Sequence, residues 1–396
     1  MSFSYGSGLR VAPSSTNSGF SYVGIPKAAE VPVARKSMLK TCAPGPWGDV
    51  EYHYLYLEAA TDLVSVFKAP STISRWSFPG LNREDVRECC VRAGIGEAMI
   101  QRWLAAGVLE QHGVYHILPP LADIEALTAV QRSALYAILG QWEANAFHKD
   151  PVFITSGDVR DFLRNTGIAR EHAAWFEKMC YQRGKVVCFS DIPALLARAG
   201  SDSEARRLFK LCSRTRTMIA RLRITAKTDF EALNDYWSKG GRRKDVLTML
   251  KSIAEAEGAD YVDLVHLLPA LPRKLLNSYP PLELAVHGRM PDCHWSSLNF
   301  FNYEPREYYL DTRLAASHVL ENFEQTEAPY RYGDVLFFMD SRGQQAFHSC
   351  VFIADDIVFT KNGDNAANPW ILSHLSDIQQ VYLSASGGCI QAYRRK

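Results

Sequence analysis

The stretch YGDVLFFMDSRGQQAFHSCVFIADDIVFTKNG, residues 332–363, decides how the second half of this chain is read. Three runs rich in Val, Ile and Phe (VLFFM, AFHSCVFIA and IVFTK) are separated by SRGQ and by the pair Asp355-Asp356. β-Branched and aromatic residues suit a pleated, half-buried surface, and short polar breaks turn the chain back, so the stretch predicts an antiparallel meander. Just upstream, MPDCHWSSLNFFN (Met290–Asn302) places Asp292 as an N-cap candidate before apolar residues at helical spacing, with Cys293 at the helix start. Downstream, residues 368–383 read as a helix and CIQAYRR as a closing strand. A helix followed by a meander is the order of an α+β domain, expected over residues 258–396.

The 396 residues that contain this domain are enough for two or three domains. Net charge of +1 gives no global attraction to nucleic acid or membrane, and no run of about 18 apolar residues is present. Nine cysteines without regular spacing fit a reducing compartment better than a disulfide scaffold. Positions 1–27 are rich in Ser and Gly and lack an apolar signal core, so residues 1–45 read as a disordered tail and the protein as cytoplasmic.

DVEYHYLYLE (49–58) alternates and is aromatic, which predicts a strand; residues 46–200 otherwise read as helical. That region carries an internal echo. DVRECCVRAGI (85–95) and DVRDFLRNTGI (158–168) match in register, and at the same offset Trp103 answers Phe176. Each copy predicts helix, a break at Gly94 or Gly167 in the left-handed conformation, and a second helix, followed by a short strand, GVYHIL or KVVCF. Helix-turn-helix with a small β element resembles a winged-helix module, a type that often binds DNA. A duplicated helical packing unit is the plainer reading, since the second helices are poor in the Arg, Asn and Gln a base-reading helix needs.

Between the two regions, residues 201–257 read as a basic linker or helical region. From Arg206 to Lys227 there are eight Lys/Arg and no Asp or Glu. Within it, Met218, Ala220, Leu222 and Ile224 alternate with Arg221 and Arg223, predicting a strand whose basic face meets either solvent or an anionic partner along 206–227.

A nucleophilic thiol needs a lowered pKa, a base to take its proton and a group to orient that base. Cys293 meets the first requirement on paper, because free N–H groups and the dipole at a helix start favour thiolate. Downstream base candidates are His294, His318, His348 and His374; only His348 falls inside a predicted strand that would fix its ring. Together, DCHWSSLNFF, YGDVLFFMD and HSCVFIADDIVF resemble the NlpC-type papain-like cysteine peptidases, a likeness confined to the C-terminal stretch 258–396. The resemblance implies a papain-like domain, a helix packed on an antiparallel sheet, with Cys293 attacking an amide or acyl carbon and His348 as base. Its substrate would be a peptide or another amide-bearing molecule. The family carries Ser-Gly after the cysteine where this chain has His294 and Trp295, and its third polar residue falls at Thr360. Asn362 is the better orienting chemistry, since its carbonyl can accept from the ring N–H, and Cys293, His348 and Asn362 are the expected catalytic set. Cys293, His294, His348 and Cys350 could instead be weighed as zinc ligands, but adjacent ligands give poor tetrahedral geometry, so neither metal nor cofactor is expected. The alternative from another class is an inactive papain-like domain in a protein that binds through its repeats or its basic strand.

Overall fold

The computed structural model describes residues 39–60, 63, 71–105, 109–111, 113–281, 283–284, 288–383 and 387–396; most of the expected tail lies outside them. The fold is α+β with antiparallel sheets. Two strands open it, β1 (Lys40–Thr41) and β2 (Val50–Leu57). The main partner of β2 is not in the helical region that follows but beyond its far end.

That helical region consists of two units in succession. The first runs β3 (Trp76–Pro79), α1 (Arg83–Arg92), α2 (Glu97–Ala105), β4 (Leu109–Gln111) and β5 (Val114–Ile117), with sheet order β3-β5-β4. After α3 (Ala129–Leu139) the second runs β6 (Val152–Ile154), α4 (Val159–Leu163), α5 (Arg170–Met179), β7 (Tyr181–Arg183) and β8 (Val186–Phe189), ordered β6-β8-β7. Both first helices are capped by side chains: Asn82 closes a capping box on α1, and Asp158 accepts from the N–H groups of Arg160 and Asp161. Gly94 (φ +75°) and Gly167 (φ +68°) turn the chain between the helices of each pair, a conformation only glycine adopts cheaply. Trp103 and Phe176 are both buried in one core spanning residues 76–211, and no strand interrupts 85–103 or 158–176.

The segment read as a linker is ordered. It holds β9 (Thr215–Arg223), whose Val50↔Leu222 to Leu57↔Thr215 pairing with β2 makes it an inner strand of a four-stranded sheet, β1-β2-β9-β10, with β10 at Tyr261–Asp263. Met218, Ala220, Leu222 and Ile224 all face the core, as the alternation predicts. The boundaries expected at residues 46, 200 and 258 therefore shift: residues 76–211 are an insertion between two neighbouring strands, and β2 and β9 share their core with the C-terminal half. The strands that follow β2 in the insertion pair among themselves, so its main partner is a distant strand.

In the C-terminal half, α6 (Cys293–Leu298) is followed by β11 (Phe323–Thr326), β12 (Val335–Met339), β13 (Ala346–Ala354), β14 (Ile357–Lys361), β15 (Trp370–His374), α7 (Leu375–Leu383) and β16 (Cys389–Arg395). The six strands form one sheet ordered β11-β16-β12-β13-β14-β15, which contains the expected meander. α6 packs on one face against Phe337, Val351 and Phe359; α7 covers the other, over Leu336, Phe338, Cys350 and Val358. Thr217 Oγ1 accepts from the Leu372 N–H at 3.2 Å, tying β9 to β15 and so joining the two sheets. Among the described residues no helix is long and apolar enough to cross a membrane.

Candidate active site

Asp292 starts α6, its Oδ1 accepting the Trp295 N–H at 2.7 Å, so the cap expected from sequence is present. Three side-chain bonds pin the helix to the sheet. Ser349 Oγ sits 3.0 Å from His294 Nδ1 and donates to Ser297 Oγ at 3.1 Å, and Trp370 Nε1 donates to Ser296 Oγ at 2.7 Å. Held this way, the Cys293 sulfur meets the Ser349 N–H of β13 and the N–H groups of His294 and Cys293 itself at the start of α6, and all three favour its thiolate. Burial outweighs them. Cys293 is 4% exposed, and loss of water, with Asp292 adding repulsion, pushes its thiol up to about 12. The depressed thiol expected at a helix start is therefore corrected: a six-residue helix and three N–H groups cannot offset complete desolvation.

His348 is wholly buried on β13. Its ring stacks flat on Tyr382 of α7 (centroids 4.0 Å apart, 10° between planes) and meets the edge of Phe338. Nε2 lies 3.2 Å from Thr360 Oγ1, and the same hydroxyl donates to the Ser349 carbonyl at 3.2 Å. Thr360 Oγ1 has one proton to give and three acceptors within reach, His348 Nε2 and the carbonyls of Ser349 and Lys361 at 3.2 and 3.5 Å, so the direction of the bond to the ring follows the His348 tautomer. Nδ1 is buried and has no hydrogen-bond partner. Burial pushes His348 down to about 3, so the ring is neutral.

Among the described residues Asn362 makes no hydrogen bond to the His348 ring, where an orienting residue was expected. The register of β13 on β14 is the one that would set Asn362 across from His348, but the ladder ends at Val351↔Phe359, and it is Thr360, lying diagonally, that reaches the ring. The Asn362 carbonyl instead accepts from Asn368, and its Oδ1 is buried without a partner.

Strand alternation sends Ser349 toward α6 and His348 toward α7. No hydrogen bond joins Cys293 to His348. Burial raises Cys350 and Tyr382 on the α7 side, and a charge on Cys293 would raise both further. Beside it, Lys361 is fully buried, donates to the carbonyls of Gly363 and Asn365 at 2.7 and 3.0 Å, and is pushed down to about 8 by burial. Sequence reading passed over Lys361, although a lysine ending an otherwise apolar strand was a visible signal. Tyr382 left no comparable signal, because its register on His348 depends on how α7 docks.

The remaining candidates have other occupations. His374 bonds Tyr54 through Nε2 at 2.7 Å and pairs with Asp356; His318 lies against Tyr308 and Asn322. Among the described residues, Cys293, His294, His348 and Cys350 do not gather as a metal-ligand set. Along the basic segment, Lys210 and Arg214 pair with Glu58, Arg216 with Asp377, and Arg221 and Arg223 with Glu51. Five of its eight cations are thus answered from within the chain, which leaves Arg206, Arg207 and Lys227 for any anionic partner.

Two clefts approach the buried pair. One of about 440 Å³ lies between residues 149–155, residues 212–216, the β14–β15 loop and α7, and is lined by Phe347, Asn362 and Tyr382. The other, of about 580 Å³, opens beside Asp292 and Met290. Comparison with family models, curated proteins and solved structures returned no match to the chain.

Proposed function

We propose that the C-terminal half is a papain-like cysteine hydrolase acting on a peptide or other amide-bearing substrate, with Cys293 as nucleophile, His348 as base and Thr360 as the group that orients the ring. The observation that carries this reading is the unpartnered Nδ1 of His348, on the strand residue next to Ser349, whose N–H favours the Cys293 thiolate; with Nε2–H donating to Thr360, that nitrogen is the basic one. In the step this allows, the S–H proton passes to Nδ1 as sulfur bonds to the acyl carbon. The imidazolium returns that proton to the leaving nitrogen as the C–N bond breaks, and water later releases the acyl group from the thioester. Both groups are neutral at rest, so the proton moves as substrate binds rather than beforehand.

The two N-terminal units support a reading as copies of one winged-helix-like module, since each repeats strand, two helices and two strands, with the same sheet order. In the first unit the second helix carries mixed charge, with Arg102 held by Asp123 and Glu97 by Arg87. That favours a role in packing over one in reading bases.

Closure of the site favours a second reading, in which the same domain binds without turnover. A peptidyl chloromethyl ketone separates the two. Alkylation of Cys293 that is lost in His348→Ala supports the hydrolase, and Cys293→Ala and His348→Ala should then leave the same residual turnover. Absence of both adduct and turnover on a peptide-amide panel leaves the binding reading.

A further inference from the structure

Away from Cys293 the structure holds a separate line of hydroxyl, imidazole and carboxylate. Tyr54, in the middle of β2, places its hydroxyl 2.7 Å from His374 Nε2 at the end of β15. His374 Nδ1 in turn lies 3.2 Å from Asp356 Oδ2 in the turn between β13 and β14. That carboxylate is itself held, since Ser376 donates to it twice, from Oγ at 2.6 Å and from its N–H at 3.2 Å. Burial alone would raise Asp356, yet the bonds from His374 and Ser376 keep it below the usual carboxylate range. A carboxylate can only accept, so in the neutral ring Nδ1 carries the proton and the Nε2 lone pair faces Tyr54. The phenol is the donor of that bond. Hydroxyl, base and orienting group therefore stand in order, each within reach of the next.

The surroundings of Tyr54 say what such a hydroxyl can do. Arg216 and Lys40 lie over its ring, 4.2 and 4.8 Å from the centroid. Burial raises the phenol, and the charge of Arg216 with a bond from Tyr52 only partly offsets that. The hydroxyl is thus protonated at rest and needs a base at the moment of attack, which His374 is placed to be. Tyr54, His374 and Asp356 are all partly exposed, in contrast to the buried Cys293 and His348. Asp377 bonds Arg216 at 2.6 Å, Asp356 answers the second cation, and Asp355 adds a negative charge beside Tyr52. No excess of positive charge is left to draw a phosphate, so the position suits an uncharged electrophile.

We propose that Tyr54 is a second nucleophile of this chain, activated by His374 and positioned through Asp356, and that it accepts an acyl group from an uncharged ester. In the step, the Tyr54 O–H proton passes to His374 Nε2 as the phenol oxygen bonds to the acyl carbon. The ester C–O bond then breaks, and the imidazolium gives its proton to the leaving oxygen. The product is an acyl ester on Tyr54 together with a free alcohol. No group of the Cys293 site takes part, so the proposal stands apart from the hydrolase reading.

The test is acetylation of the full chain by p-nitrophenyl acetate at pH 7.5, read by peptide mass spectrometry. Tyr54→Phe is the blank, since it keeps the ring beneath Arg216 and Lys40. Two tyrosines serve as references within the molecule. Tyr303 is 79% exposed. Tyr308 also meets an imidazole, His318 Nδ1 at 3.4 Å, but Asn322 shares that nitrogen; although burial raises its phenol, bonds with Tyr309 and Arg306 hold it below the ordinary value. Tyr54 should gain acetyl at least about tenfold faster than Tyr303, despite its lower exposure. His374→Gln should remove that advantage and Asp356→Asn should lower the Tyr54 rate several-fold, with the Tyr308 rate unchanged in both. A Tyr54 rate no greater than that of Tyr303, or one unmoved by Asp356→Asn, would overturn the proposal. The second variant alters one partly exposed turn residue, so it decides the matter even if His374→Gln fails to fold. p-Nitrophenyl phosphate should leave Tyr54 unmodified, and a phosphotyrosine at that position would overturn the assignment to acyl groups.

Discussion

Consider what acid does to His348. An exposed imidazole takes its proton near pH 6.5, whereas burial holds the folded ring neutral down to about 3. Between those values the unfolded chain binds one more proton than the folded one, so stability rises with pH across the window and is lost as pH falls from 6.5 toward 3. At pH 5 the loss is 1.5 pH units at about 1.4 kcal/mol each, or about 2 kcal/mol. The core of residues 76–211 lacks so clean a signature. Burial also pushes His148 down to about 3, but it pushes Asp191 up to about 6, and a carboxyl that holds its proton in the fold gains stability over the same interval. The two nearly cancel, leaving less than about 1 kcal/mol at pH 5. Urea titrations at pH 7.5 and 5.0, followed by hydrogen exchange in peptides from β12–β14 and from α3–α5, separate the two cores. Wild type should lose about 2 kcal/mol more from β12–β14 than His348→Gln does over that interval. An identical pH dependence in the two proteins would refute the claim that His348 is buried neutral.

Iodoacetamide at neutral pH should label Cys389 first, since it is the exposed cysteine of the nine, with Cys293 slow until the site opens; early labelling of Cys293 in the unliganded chain, seen by peptide mapping, would contradict its burial. Thr360→Val strips partners from both His348 Nε2 and the Ser349 carbonyl and should cost about 1–3 kcal/mol in a denaturant titration. Asn362→Ala should leave any turnover within a factor of a few of wild type, whereas Thr360→Val lowers it; the reverse ranking would restore Asn362 as the orienting residue. Gly333→Ala should cost about 2–4 kcal/mol by thermal or urea melting, because φ is +89° and the new Cβ would fall 2.3 Å from the Phe301 ring.

Much of this arrangement was legible in the residues. The meander, the Asp292 cap and the paired glycine breaks follow from local chemistry, and local chemistry is what a sequence displays. The register of β13 on β14 near His348 comes from a bulge: the Asp355-Asp356 turn pairs Ala354 with Ile357, and a shift between Phe352 and Ala354 then gives Val351↔Phe359. That Thr360 rather than Asn362 contacts the ring is decided at a finer level. The choice of Asn362 weighed which side chain makes the better acceptor, but the outcome turned on where the ladder stops. The thiol of Cys293 failed for a related reason: helix-start N–H groups can be counted along the chain, while loss of water depends on Trp295, Tyr382 and the sheet closing around the sulfur. Arg221 and Arg223 looked free because Glu51 lies 170 residues from the nearer of them. Distant pairing is the part of a fold that periodicity does not encode.

The insertion between β2 and β9 also sets an order of events during synthesis. Leu57 leaves the ribosome well before its partner Thr215, and at about 5–20 residues per second the delay is roughly 8–30 s. During that interval β2 is an aromatic strand with its main partner still unmade. The insertion's own core can close meanwhile, and since Leu57 and Thr215 end up as neighbours, its folding delivers the two strand ends to one place. β9 is therefore threaded onto a partner already held nearby, and the C-terminal half inherits its first ladder from a region that supplies none of its strands.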